Sequence, residues 1–405
     1  MIQHWKRLLV IAVVALCNHG VLAQSPSVGD HLFVWAGDAD RQDSDFLAVL
    51  DVRPAPDRYG KVLATVPVDE KSLWPHHTEH EFGPTGTLFA NGFAANRTFV
   101  FDLRDPLQPR VTARFGAVGG LSFPHSFARL PSGNVVVTFQ GHGDQNEVPG
   151  GLAELDERGQ VVRSVSAADP SAEAGTLRPY SLAVVPALDR VVVGLTYMGF
   201  PPWTDNRSTI AHDHTGSQVQ IRRLSDLGLV KTLKLKSADG PHEPRLLNDG
   251  RTVLVGTISC RVYRVADLET DEPSLVLAHD SSSPGCWVPV VIGNYWVQAH
   301  TDTKQVFSLD VRDPADVREA STLQFDERQY PHWLATDGRR LVVVNDARGE
   351  HRIWIANIDP GTGRLTLDDA FREEGADRAG FSFDRAEWPH GATGDAVPHG
   401  TVFGP

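Results

Sequence analysis

Residues Trp74–Phe93 read WPHHTEHEFGPTGTLFANGF and contain the pattern on which the chain is built. A histidine cluster comes before a glycine turn and an apolar run. The Pro-His step recurs in FPHSFARLPSGNVVV from Phe123, GPHEPRLLNDGRTVLV from Gly240, YPHWLATDGRRLVVV from Tyr330 and VPHGTVF from Val397. In the first three of these, a short strand-like run leads through a glycine turn to a strand rich in Val and Leu. This recurrence indicates an internal repeat.

Seven positions align at the start of the repeats, and we call them the anchors: His77, His125, Tyr180, His242, Trp287, His332 and His399. They are separated by 48, 55, 62, 45, 45 and 67 residues, spacings typical of four-stranded propeller blades. Only one strand fits after the last anchor, whereas three strand-like runs precede the first: His31–Gly37, Asp45–Val52 and Lys61–Val68. The sequence therefore predicts an all-β fold, a seven-bladed β-propeller over residues 24–405, closed by pairing of its N- and C-terminal strands.

The first residues predict an export signal over residues 1–23. Lys6 and Arg7 precede an apolar Leu8–Leu16, and Val21-Leu22-Ala23 forms a cleavage site. No later segment has the roughly 18 consecutive apolar residues that a membrane span needs. We therefore expect a periplasmic or secreted protein with no membrane span. The formal net charge of −13 argues against nucleic acid as a partner, and the oligomeric state is left open.

Histidines dominate the anchors, and the inner strands of a propeller converge on one axis. Imidazoles from several blades can therefore share one ion, and neutral imidazole suits copper, iron and zinc. The candidate metal ligands are His76, His77, His80, His125, His242, His332, His390 and His399. The candidate catalytic residues are Glu79 and Glu243, which could move protons or orient ligands. The alternative is that each Pro-His step only caps a loop, as in propeller repeats without metal.

Tryptophans and cysteines add further candidates. The walls of a pocket for a small-molecule substrate are expected from Trp203, Trp287 and Trp333. Cys260 and Cys286 are candidates for a disulfide, with thiolate ligation of a metal as the alternative.

Two polar loops carry weaker signals. Ala211–Gly216 (AHDHTG) offers a second metal motif, although an exposed loop is the simpler interpretation. Gly37–Asp45 (GDADRQDSD) is rich in aspartate but lacks the spaced glycine and terminal glutamate of an EF-hand. We therefore interpret it as a solvated turn.

Between Trp74 and Ser166 the chain resembles the selenium-binding protein family, whose bacterial members include methanethiol oxidases. The similar pieces are His76-His77, FVFDLRDPLQPRV from Phe99, FPHSFARLPSGNVVVTFQG from Phe123 and PGGLAELDERGQVV from Pro149. The resemblance implies a propeller and, for the oxidases, copper-dependent oxidation of a small thiol by oxygen. It also implies His76, His77 and His125 as metal ligands. This chain departs from the family by lacking a Cys-x-x-Cys segment soon after the paired histidines.

A second similarity is to carotenoid cleavage oxygenases. It is carried by His77 ahead of PTGTLFANGF, by the His-Ser-Phe at His125 and by the His-Gly-Thr at His399, and it implies iron held by four axial histidines. Taken together, these features predict an exported metal-dependent oxidase, with copper or alternatively iron, acting on a small thiol or other sulfur-containing substrate. A non-catalytic binding propeller and a lactonase-like metal-dependent hydrolase are the alternatives.

Overall fold

The computed structural model describes residues 29–405 apart from 56, 173, 201–215 and 282. The predicted signal segment, Trp203 and all but the last residue of Ala211–Gly216 lie outside the described residues. Helical structure in the described part of the chain is limited to two short 3-10 turns, Ala174–Thr176 and Pro186–Leu188. Among the same residues, no helix has the length and apolar character needed to cross a lipid bilayer.

The described residues form 29 short strands, as turn residues at close spacing predict. In chain order these are β1 (His31–Asp38), β2 (Phe46–Asp51), β3 (Lys61–Pro67), β4 (Pro75–Thr78), β5 (Thr87–Gly92), β6 (Arg97–Asp102), β7 (Arg110–Phe115), β8 (Leu121–Arg129), β9 (Val135–His142), β10 (Gly151–Leu155), β11 (Val161–Ser166), β12 (Pro179–Val185), β13 (Arg190–Leu195), β14 (Gln218–Arg223), β15 (Leu229–Lys234), β16 (Pro241–Leu246), β17 (Val253–Thr257), β18 (Val262–Ala266), β19 (Ser274–His279), β20 (Cys286–Ile292), β21 (Tyr295–His300), β22 (Gln305–Asp310), β23 (Arg318–Gln324), β24 (Pro331–Thr336), β25 (Arg340–Asn345), β26 (Arg352–Ile358), β27 (Leu365–Leu367), β28 (Phe381–Ser382) and β29 (Ala396–Gly404).

These strands form seven antiparallel sheets, the blades of a propeller. Blades 1 to 5 are β4–β7, β8–β11, β12–β15, β16–β19 and β20–β23, each in chain order from the axis outward. Blade 6 is β24–β27 with β28 added beside β26, and blade 7 is β29-β1-β2-β3. The C-terminal strand is thus the inner strand of the last blade, and the predicted closure between the two chain ends is confirmed. We call the face on which the inner strands begin the upper face.

The hydrophobic core is divided among the seven junctions between neighbouring blades. At the junction of blades 7 and 1, for example, Trp35 lies 5.6 Å from each of the rings of Phe99 and Phe101. The indole of Trp35 also donates to Asn91 O at 2.7 Å, so the contact is directional as well as apolar. Each large side chain buried in this way contributes about 1.5–3 kcal/mol. The blades therefore hold one another in fixed register around the axis.

Every inner strand carries a β-bulge at the same place. In blade 1 the two residues His76 and His77 stand opposite the single residue Asn91, because Pro75 pairs with Gly92 and Thr78 with Ala90. The equivalent shift follows Pro124, Pro179, Pro241, Cys286, Pro331 and Pro398 in the other blades. A bulge re-aims side chains, and proline is tolerated because this strand has a free edge towards the axis. The Pro-His step is thus the sequence mark of the bulge.

The bulges correct the sequence alignment in the first blade. His76, not His77, follows the proline and corresponds to His125, Tyr180, His242, Trp287, His332 and His399. His77 is the next residue and corresponds to Ser126 in blade 2. The predicted repeat is confirmed, but the anchor of blade 1 is His76 and not the predicted His77, because the histidine is doubled at this position.

Candidate metal centre

A closed ring of seven aromatic side chains surrounds the axis at the level of the bulges. We call it the inner ring, and its members in blade order are His76, His125, Tyr180, His242, Trp287, His332 and His399. Neighbouring ring centroids lie between 3.9 Å, for His125 and Tyr180, and 5.9 Å, for His242 and Trp287. The ring closes between the last and first members at 4.4 Å. One residue from each blade therefore contributes to a single layer.

Two groups of histidines in this layer have the spacing of metal ligands. The first is His76, His77 and His125, and the second is His76, His332 and His399. Within each group the candidate donor atoms all lie within 4.8 Å of one another. An ion bound at 2.0–2.1 Å by two imidazoles spans at most about 4.2 Å between them, so small side-chain movements would complete either group. His76 belongs to both, which makes it the central residue of the site.

Hydrogen bonds determine which ring nitrogen carries the proton in three histidines of the inner ring. Nδ1–H of His125 donates to Tyr180 O at 2.9 Å, and Nδ1–H of His399 donates to His76 O at 2.8 Å. His242 makes the same kind of bond to Gly240 O at 3.2 Å. A carbonyl can only accept, so Nδ1 carries the proton in these rings and Nε2 is the basic nitrogen. This pattern, Nδ1–H bonded to a carbonyl oxygen, is typical of histidines that bind metals through Nε2.

His77 is held differently and shows the strongest sign of an additional ligand. Its Nδ1 lies 2.8 Å from Ser126 Oγ. Its Nε2 is buried and has no hydrogen-bond partner among the described residues. Leaving a buried polar atom unsatisfied costs about 1–3 kcal/mol, a cost that a bound cation would remove. The residues present therefore fit a metal ion.

Burial favours the neutral form of three histidines at or beside the inner ring, His77, His80 and His399, and neutral imidazole is the form that binds metal. Burial, followed by the nearby His332, lowers the pKa of His399 to about 3. Burial also holds the pKa of His77 well below its ordinary value, with His125 as the next cause. The pKa of His80 is lowered well below its ordinary value by burial and by Arg245.

The lowered histidine pKa values destabilise the folded, metal-free protein as pH falls. An unfolded chain protonates its histidines near pH 6.5, whereas burial lowers the pKa of folded His399 to about 3. Between these values His399 therefore lowers the unfolding free energy by up to about 1.4 kcal/mol per pH unit, and His77 and His80 act in the same direction. The raised pKa values of four buried acids act in the opposite direction, those of Asp38, Asp45, Glu79 and Glu243, so the share of His399 is measured as a difference between the wild type and a variant.

Urea unfolding of chelator-treated protein at about pH 7, 5.5 and 4.5 would measure this dependence. Over this range the unfolding free energy of a His399→Gln variant should fall less, or rise more, than that of the wild type. Parallel pH profiles of the two proteins would contradict the prediction.

Two of the predicted site residues lie away from the ring. Glu79 is buried and accepts two hydrogen bonds from Arg129 of blade 2, at 2.8 and 2.7 Å. It also accepts Phe89 N at 3.0 Å, so its contacts are with the blades and not with the axial imidazoles. His390 bonds Thr65 Oγ1 at 2.7 Å, on the outermost strand of blade 7. The structure thus gives Glu79 a structural partner and does not bring His390 to the metal centre.

Glu243 and His80 form a separate polar cluster further along the channel. Arg245 lies 2.7 Å from Glu243 Oε2, and its Nη2 lies 3.1 Å from His80 Nε2. The ring of His80 stacks on Trp333 at 4.8 Å. Although His77, His80 and Glu243 also have ligand-like spacing, the adjacent guanidinium disfavours a second cation there. Burial raises the pKa of Glu243, which favours the protonated carboxyl group over a carboxylate that binds a metal ion.

The predicted tryptophans and cysteines fall close to the axis. Trp287 is a member of the inner ring, and Trp333 lies one layer below, 4.8 Å from His77. Cys260 and Cys286 are joined in a disulfide that links the β17–β18 loop to the start of β20. Since each sulfur is bonded to the other, neither is a thiolate ligand in this structure.

Sequence reasoning missed the residues that support the bulges. Asn91 accepts a hydrogen bond from His77 N at 2.6 Å and donates to Pro124 O at 2.6 Å. Thr138 donates to Tyr180 O at 2.7 Å and accepts from Ser126 N at 3.0 Å. Each bulge frees backbone groups that must be satisfied, and these side chains satisfy them. A polar residue in an otherwise apolar second strand was the signal that could have identified them.

Comparison with known proteins identifies two similar sequences. No family profile matches the chain. A methanethiol oxidase from a Hyphomicrobium species is 32% identical over 127 residues, which are 30% of this chain and 28% of that protein. A methanethiol oxidase from Ruegeria pomeroyi is 29% identical over 159 residues, 36% of this chain and 34% of that protein. The similarity thus spans about a third of the length of these relatives.

Solved structures extend the similarity to the whole fold. A hypothetical selenium-binding protein from Sulfolobus tokodaii has a TM-score of 0.73 at 15% identity, covering 93% of this chain and 94% of that one. A periplasmic gluconolactonase from Pseudomonas aeruginosa has a TM-score of 0.64 at 14% identity, covering 93% and 99%. At these identities the shared property is the propeller. The similarity to carotenoid cleavage oxygenases stays a prediction. The resemblance of this chain to the selenium-binding protein and methanethiol oxidase family is thereby confirmed.

Proposed function

We propose that this protein is a metal-dependent oxidase of a small sulfur-containing molecule, with copper as the metal and iron as the alternative. The observation that carries the proposal is the inner ring, in which two histidine triads with ligand-like spacing share His76 and carbonyl oxygens orient the rings of His125 and His399 through Nδ1–H. The partial similarity to methanethiol oxidases supports a thiol as the substrate. We also propose export, on the basis of residues 1–23.

The residues would divide the work as follows. His76 and the histidines of one triad hold the ion, and bound copper supplies one-electron redox chemistry between a thiol and oxygen. The aromatic cluster of Phe93, Phe123 and Phe200 covers His125 from the upper face, with Phe93 5.5 Å from its ring, and excludes water from the donors. This apolar cover favours coordination of the ion by neutral imidazoles over coordination by water molecules.

Protons need a separate carrier, since burial lowers the pKa values of His77 and His399 and disfavours their protonation. Glu243 is buried beside Arg245 at the lower end of the cluster, and its pKa is raised by burial. A carboxyl of this kind can take up a proton released during turnover and pass it on along the channel. We assign this role to Glu243 in preference to Glu79, because both oxygens of Glu79 are occupied by Arg129.

A lactonase-like hydrolase is the second candidate. The similarity to a periplasmic gluconolactonase covers 93% of the chain, but at 14% identity it supports only a shared fold. In such an enzyme the metal would act as a Lewis acid on a carbonyl and on water. The histidine ring would support that chemistry as well, so activity measurements are needed to distinguish an oxidase from a lactonase.

We expect protein purified without a histidine tag, from cells supplied with copper or iron, to hold close to one metal ion per chain. Oxygen uptake with methanethiol or ethanethiol, compared with hydrolysis of a gluconolactone, then distinguishes oxidase from lactonase. Content below about 0.2 ions per chain with either metal would exclude both catalytic proposals. Full stability in chelator together with no turnover would favour a binding propeller.

A further inference from the structure

A cavity of about 240 Å³ opens on the upper face directly beside the metal centre. Its floor includes His399, a member of the second triad. Its walls are the Asp38–Asp45 loop between β1 and β2, the segment from Ser72 to Pro75, and Ala347 with His351 from blade 6. The loop interpreted from sequence as a solvated turn therefore frames a pocket. The cavity is smaller than the 300–1,000 Å³ usual for drug-sized ligands, so it suits a molecule of few heavy atoms.

Trp74 is the largest apolar side chain on this wall, and its backbone is strained. Its φ angle is 56°, in a region that bulky residues rarely adopt, and the following residue is Pro75, which also disfavours helical conformations. Its ring lies 5.3 Å from His76 and 5.9 Å from Phe93. Strain of this kind persists where surrounding contacts impose it and is frequent at functional sites. The fold thus holds Trp74 between the cavity and the central histidine.

The charges around the cavity are unfavourable to anions. Asp45 accepts Asp38 N and Leu73 N at 2.9 Å each, and Asp38 Oδ2 accepts Gln42 N and Asp43 N at 2.7 and 2.8 Å. These bonds hold the two carboxylates in place on the cavity wall. Arg41 lies in the same lining, and burial raises the pKa of Asp45 to about 7 and also raises that of Asp38. The two acids together therefore offset the charge of Arg41 without both being fully ionised, and the lining offers an anion no net positive charge. On the opposite wall, His351 is bonded to Asp384 at 2.7 Å.

We propose that this cavity is the substrate site of the oxidase, that it selects small uncharged molecules such as a neutral thiol, and that Trp74 is the apolar surface on which the substrate lies. The proposal rests on the proposed function for the chemistry that follows binding. It goes beyond that function by placing the substrate at the Trp74 and His399 side of the ring. It also predicts which thiols are rejected, since an anionic thiol would lose hydration beside Asp38 and Asp45 without meeting a net positive charge.

The test measures binding and turnover separately. Ethanethiol and 3-mercaptopropionate, which share the thiol and differ in charge, are titrated against the metal-loaded protein, with binding followed by saturation-transfer NMR under argon. We expect ethanethiol to bind at least about tenfold more tightly than the anion. Trp74→Leu should weaken ethanethiol binding by at least about fivefold, with metal content unchanged. Asp38→Asn, which keeps an acceptor oxygen for the loop amides, should reduce the discrimination against mercaptopropionate.

Arg58→Ala is the matched control, because Arg58 lines a larger cavity of about 560 Å³ at the opposite end of blade 7. That variant should bind both probes as the wild type does. Equal affinity of wild type and Trp74→Leu, equal binding of both thiols, or loss of binding in Arg58→Ala would each overturn the proposal. Binding that follows the expected pattern without oxygen uptake would instead contradict the oxidase and leave the pocket assignment intact.

Discussion

Replacing His76 by alanine should remove the metal. His76 is the only histidine common to both ligand triads, so its loss leaves two imidazoles at either position. Loss of hydrogen-bond partners beyond the ligands already costs about 10–100-fold in metal affinity, so loss of a ligand itself should cost at least about 100-fold. Oxygen uptake should fall with it. Competition with a coloured chelator measures the affinity, and elemental analysis of the purified variant measures the content.

Two control variants make this result specific. His242→Ala alters a member of the inner ring that lies outside both triads, and His390→Ala alters the predicted ligand that bonds Thr65 on the outer strand. Both variants should keep their metal. Retention of metal by His76→Ala, or its loss in His242→Ala at unchanged circular dichroism, would move the centre to another part of the ring.

Replacing Arg129 by methionine should destabilise the protein by about 3–5 kcal/mol, because it leaves the buried Glu79 carboxylate without its partner. The two side chains are 8% and 2% exposed, and the pair joins blade 1 to blade 2. Since burial raises the pKa of Glu79, the variant should recover part of its stability as pH falls and the carboxyl is protonated. Urea unfolding monitored by tryptophan fluorescence gives the free energies.

The matched change is Arg104→Met. Arg104 pairs with Asp102 on the surface, where its side chain is 71% exposed, and exposed pairs contribute about 0–1 kcal/mol. A loss in Arg129→Met no larger than that in Arg104→Met would mean that Glu79 is solvated or paired elsewhere in solution. Glu79 would then again be a candidate catalytic residue.

The Pro-His steps, which open five of the seven inner strands, were sufficient with the spacing of the anchors and the three N-terminal strands to predict the propeller, its seven blades and its closure. The signal has a physical cause, the bulge that turns residues towards the axis. The anchor of blade 1 was predicted one residue too late because the histidine is doubled there. The Pro-His step itself points to His76, and the pairing of Pro75 with Gly92 agrees with it.

The surroundings of the site were less accessible to sequence reasoning. Glu79 stands beside the histidines in sequence, but strand geometry directs it to Arg129, 50 residues away. The sequence predicts no role for Trp74, because its position depends on a backbone angle and on a cavity formed with blade 6. Such contacts between blades have no local pattern along the chain.

The closing blade has a consequence for the order of events during biosynthesis. His399 belongs to β29, which pairs with β1 from the other end of the chain, while His76 and His332 belong to β4 and β24, which are both synthesised earlier. Contacts of such long sequence separation form late in folding. The complete triad can therefore assemble only after β29 has been synthesised and has paired with β1. Under the proposed function, metal binding by this triad would require the closed propeller, and chains truncated before β29 would lack a ligand there.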